Sequence, residues 1–73
     1  MFAKLPINEI ESLYVRLEED VIHYTVHTRH NHTAYLVNSV EEAVSFALPL
    51  LGNIQKHILI RNLHNSIIKE LTQ

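Results

Sequence analysis

The chain has 73 residues, six Lys or Arg against eight Asp or Glu, no cysteine and one glycine. A chain of this length is expected to form one domain, 1–73, that buries only about 60% of the surface its unfolded form exposes, so stability is marginal. The missing cysteines exclude disulfides and thiolate ligands, the single glycine excludes a phosphate-cradling loop, and a formal charge of -2 argues against a large phosphate-binding footprint. No stretch approaches the roughly 20 apolar residues of a membrane helix. Lys4, Pro6, Asn8, Glu9 and Glu11 interrupt any apolar leader, so a cytoplasmic location, in a cell or an infected host cell, is expected.

In chain order, residues 1–5 read as a tail. Pro6-Ile7-Asn8-Glu9-Ile10-Glu11 reads as a short N-terminal helical turn, because proline at an early helical position loses nothing by lacking its N–H and the acids sit near the positive helix end. Three runs then alternate apolar with polar, at 12–18, 21–29 and 33–38, as half-buried strands do. With Glu19 and Asp20 as a two-residue turn, Leu17 faces Ile22, Val15 faces Tyr24 and Leu13 faces Val26. A second turn at His30-Asn31 or Asn31-His32 keeps Tyr35 and Val37 on the side of Tyr24 and Val26, since both registers have the same parity. The resulting three-stranded antiparallel meander, about 12–38, has an inner face of Leu13, Val15, Leu17, Ile22, Tyr24, Val26, Tyr35 and Val37. Its outer face carries Tyr14, Arg16, Glu18, Val21, His23, Thr25, His27, Ala34 and Leu36.

Ser39 opens a helix over about 39–51. Ser39 and Glu42 have the spacing of a capping box, and Val40, Ala43, Val44, Ala47, Leu48 and Leu51 recur at helical spacing on the sheet side. Pro49 predicts a kink or a fresh turn before Gly52 ends the element. From Asn53, an acceptable N-cap, no glycine or proline interrupts the chain, and Leu59, Leu63, Ile67 and Leu71 with Ile60 form one stripe. A second helix over about 53–72 is therefore expected in preference to a strand at Ile58-Leu59-Ile60, giving an α+β fold with both helices on one sheet face. Its apolar arc covers well over half its circumference, more than a three-stranded sheet hides. Leu59, Ile60, Leu63, Ile67, Ile68 and Leu71 are accordingly the expected interface of a homodimer.

Six histidines invite a metal site. On a strand, however, His23 and His27 are about 13 Å apart, and on a helix His57 and His64 are about 10 Å apart. Only His30 and His32, at a hairpin tip, are close, so the histidines read as surface imidazoles and no metal or other cofactor is expected. With one Asp, in a turn, and no serine in a recognisable elbow, there is no nucleophile with its base, and no enzymatic activity is expected.

The outer sheet face remains. Its mixture of apolar bodies and polar anchors has the makeup of an interface, and Tyr14, Arg16, His23, Thr25, His27 and Leu36 are the expected partner-binding residues. The chain reads as a small non-enzymatic protein–protein interaction module, an inhibitor or regulator of a larger protein. A dimeric nucleic-acid-binding regulator is the second reading, carried by Tyr14, Arg16, His23 and His27 on an open sheet. The helix-strand-strand-strand-helix order resembles a double-stranded-RNA-binding domain in outline, although Glu41 and Glu42 stand where such a domain has a basic helix N-terminus. A meander backed by two helices is also similar to the architecture of several small phage-encoded proteins that inhibit host defence enzymes, some anti-CRISPR proteins among them. That resemblance covers no sequence motif and implies a protein partner.

Overall fold

The sheet begins before residue 12. In the computed structural model, which describes residues 2–72, Phe2–Pro6 is a strand, β1, followed by β2 (Glu11–Glu18), β3 (Val21–Thr28) and β4 (Thr33–Val37). Helices α1 (Val40–Ala47) and α2 (Asn53–Leu71) complete the described chain. The four strands form one antiparallel sheet in the order β1-β2-β3-β4, so the meander has four strands where the alternation over 12–38 predicts three. The segment expected to be a tail is therefore a strand from Phe2 onward, while Met1 lies outside the described residues. Phe2 and Lys4 point out and Ala3 and Leu5 are buried, with Ala3 opposite Val15 and Leu5 opposite Leu13. So short an alternation is weak evidence by itself; the gain comes from laying two apolar side chains beside the centre of β2.

The expected helical turn at Pro6–Glu11 is instead the β1–β2 connection. Asn8 Oδ1 accepts from Ile10 N at 2.7 Å and Glu11 N at 2.8 Å, and Ile7 N and Asn8 N donate to the Glu11 carbonyl at 3.0 and 3.1 Å. A short amide side chain that stands in for a backbone carbonyl folds the chain back without a helix. With no N-terminal helix among the described residues, the outline shared with double-stranded-RNA-binding domains does not hold.

The β2–β3 register agrees with the expectation pair for pair: Leu17 with Ile22, Val15 with Tyr24, Leu13 with Val26. Glu19 and Asp20 take φ of 53° and 64°, the left-handed pair that matches the twist of a two-residue hairpin. Val26 pairs with Tyr35 and Tyr24 with Val37, the register of a His30-Asn31 turn, but the ladder stops at Thr28 and Thr33. Arg29 to His32 form a four-residue loop, with His32 at φ 51°.

Ser39 caps α1, its Oγ accepting from Glu42 N at 3.1 Å. Glu42 Oε2 reaches one residue beyond the usual capping box, accepting from Asn38 N at 3.0 Å. The helix stops at Ala47 rather than near 51, and a turn closed by Leu51 N to the Leu48 carbonyl at 3.2 Å spans Pro49. The residue before a proline is disfavoured in helical geometry, and Leu48, at φ -132° and ψ 65°, is the cap. Gly52, not Asn53, is the N-cap of α2, which runs unbroken through 58–60. No helix among the described residues is long and apolar enough to cross a membrane.

Both helices lie on the inner face, α1 over β3 and β4, α2 over β1 and against α1. Leu5, Leu13, Val15, Val26, Val40, Ala43, Val44, Leu63 and Ile67 form the core. Eight residues of α1 do not reach across the sheet, so the predicted inner face is buried only at its centre. Leu17, Tyr24 and Val37 are half-buried, Ile22 is 41% exposed and Tyr35 39% exposed.

Candidate interaction surface

Because both helices pack below, the upper face of the sheet is open. The registers set its side chains in cross-strand rows: Lys4, Tyr14, Thr25 and Leu36 run across all four strands, and Phe2, Arg16 and His23 lie across three. A third row holds Pro6, Ser12, His27 and Ala34. All six predicted partner-binding residues, Tyr14, Arg16, His23, Thr25, His27 and Leu36, share this face and line one shallow depression of about 210 Å³ together with Phe2.

Tyr14 is its centre. Its ring stacks on His27 at 4.0 Å between centroids and 23° between planes, and Phe2 meets it edge-on at 5.3 Å. Lys4 Nζ stands 5.7 Å from the ring centroid, within cation–π range. Three neighbours on two flanking strands therefore hold the ring in place, so binding against it orders little that is not already ordered. Arg16 Nε lies 3.2 Å from Glu18 Oε2, an exposed pair on one strand. Leu36 is 84% exposed.

A second cleft, of about 270 Å³, adjoins the first and shares Tyr14 and His27 with it. Lys4, Ser12, Arg29 and His32 contribute to its walls. Counting both clefts, Lys4, Arg16 and Arg29 are cationic and line a surface of a chain whose net charge is -2. Phe2, Lys4, Arg29 and His32 are absent from the predicted site. The first two were hidden with β1, where the out-in-out-in order of Phe2-Ala3-Lys4-Leu5 was the available signal; the others sit in a loop whose length periodicity does not set.

The histidines are dispersed. His23 and His27 lie on β3, His30 and His32 in the loop, and His57 and His64 on α2. Among the described residues no three His, Asp or Glu side chains are grouped to hold a metal ion. His64 Nε2 instead meets Glu41 Oε1 at 3.0 Å, tying α2 to the first turn of α1. That hydrogen bond holds the Glu41 carboxyl below its ordinary pKa.

Of the predicted dimer residues on α2, Leu63 and Ile67 are in the chain's own core, and Leu59, Ile60 and Leu71 pack partly against it. Only Ile68, 61% exposed, is free. The exposed apolar excess of α2 is at Ile54, Ile58 and Ile68, of which Ile68 alone belongs to the predicted interface. Comparison of the chain with protein-family models, with curated proteins and with solved structures finds no match.

Proposed function

We propose that the protein is a non-enzymatic interaction module that binds a larger protein through the open face of its sheet, as an inhibitor or regulator of that protein. The observation that carries this reading is the convergence of Tyr14, Arg16, His23, Thr25, His27 and Leu36, with Phe2, on one concave patch centred on a held aromatic ring. Interfaces draw most of their energy from such aromatic and arginine anchors. The surrounding Lys4, Arg16 and Arg29 favour a partner segment that is acidic as well as apolar.

The same cations support a second reading, in which the aromatic and basic sheet binds single-stranded nucleic acid. Capture from lysate of the native cell, with and without nuclease, separates the two. A protein retained after nuclease treatment, and lost with Tyr14→Ala and with Arg16→Glu, agrees with the first reading. A catch abolished by nuclease replaces it with the second, and full retention by both folded variants removes the sheet face from consideration.

A further inference from the structure

We propose that the free edge of β4 pairs with β4 of a second copy, antiparallel about a twofold axis at Tyr35, so that two four-stranded sheets become one. The two edges of the sheet differ. β1 ends in Pro6, which has no N–H to offer, and carries Lys4. β4 is Thr33-Ala34-Tyr35-Leu36-Val37, without charge, proline or glycine, and its register with β3 is unbroken by a bulge. Ala34, Tyr35 and Leu36 are all exposed. An uncharged, unkinked edge with large apolar side chains is what natural sheets avoid unless it is paired.

The strand is complementary to itself. About Tyr35, Ala34 faces Leu36 of the second copy and Leu36 faces its Ala34, small against large, on the outer face. Thr33 faces Val37 on the inner face, and the Tyr35 side chains meet at the axis. No two like charges oppose one another, and just beyond the ladder His32 faces Asn38, an imidazole against an amide. Below the sheet Tyr35 and Phe46, whose rings are 4.8 Å apart and both exposed, form with their counterparts a row of four rings. The expected α2 seam lacks this match, since its central residues are already spent on the core. The pairing goes beyond the proposed function and does not depend on it, yet it bears on it: the row from Lys4 to Leu36 continues into Ala34, His27 and Ser12 of the other copy.

The chain's lack of cysteine makes single-cysteine variants clean reporters. Under mild oxidation Tyr35→Cys is expected to form a disulfide dimer on a non-reducing gel, because facing residues of paired strands bring their Cβ atoms close enough. Ile68→Cys on exposed α2 is expected not to. Light scattering on the full chain should give twice the monomer mass in the micromolar range, and the monomer mass for Ala34→Glu and for Leu36→Lys with unchanged circular dichroism. Mixing those two variants should restore the dimer, as opposite charges then face each other. A wild-type monomer, a dimer that survives both variants, or cross-linking through Ile68→Cys but not Tyr35→Cys would each overturn the proposal.

Discussion

Glu19 and Asp20 hold their left-handed conformations without the glycine that such a turn favours. Left-handed backbone costs an L residue roughly 1–2 kcal/mol. Replacing Glu19-Asp20 by Asn-Gly should therefore stabilise the protein by about 1 kcal/mol, read as a higher urea midpoint at unchanged slope; a lower midpoint would mean that the acidic side chains contribute more than the backbone strain removes. At the other special residue, Ser39→Ala should cost about 1 kcal/mol through loss of the α1 cap. The Glu41 carboxylate has its pKa lowered by His64, so its contribution is present at neutral pH and is lost as pH falls below the ordinary 4.5 and through the folded value. The pair is exposed, which limits it to about 0–1 kcal/mol, and the stability gap between wild type and Glu41→Gln should close in acid. The Ser39 cap was legible from sequence because Ser and Glu at that spacing act locally. Asn8 was not: its side chain serves a helix start and a strand-reversing turn equally well, and the pairing of β1 decides between them.

At the scale of elements, alternation over eight residues made β2 and β3 and their register readable, since a slip by one would expose Leu13, Val15 and Val26. β1 shows only two inward side chains, and its existence depends on a partner strand that the local pattern does not contain. If Leu5 is core, Leu5→Asp should destabilise the fold by about 3 kcal/mol or more, as expected for an unpaired buried carboxylate, whereas a dispensable tail would tolerate it. Thermal melts decide between these. The periodicity of α2 was likewise readable, but which side of its wide arc meets the core was not, because that depends on β1 and on how early α1 stops. Ile67, 7% exposed, and its neighbour Ile68 make the test: Ile67→Glu should unfold the chain, and Ile68→Glu should leave the melting temperature nearly unchanged. Equal loss from both substitutions would place Ile68 in an interface as well.

Over the whole molecule the two sheet faces divide the labour. The inner face is covered at its centre by two helices and carries the stability; the outer face is open, and its Tyr14, Arg16, His23, Thr25 and His27 were identifiable because strand parity assigns faces even before the number of strands is known. Its extent was not identifiable, since Phe2, Lys4, Arg29 and His32 join it only through β1 and a loop. That open face is the proposed binding surface, with the helices as its support. The most direct measurement is the affinity of the captured partner, by calorimetry, for Arg16→Glu and Tyr14→Ala beside Ile58→Glu on the exposed side of α2. A loss of roughly thirtyfold or more is expected for each sheet variant, the size of an interface hot spot, with wild-type affinity for Ile58→Glu. Wild-type affinity for both sheet variants together with a large loss for Ile58→Glu would contradict it and move the function to the helices.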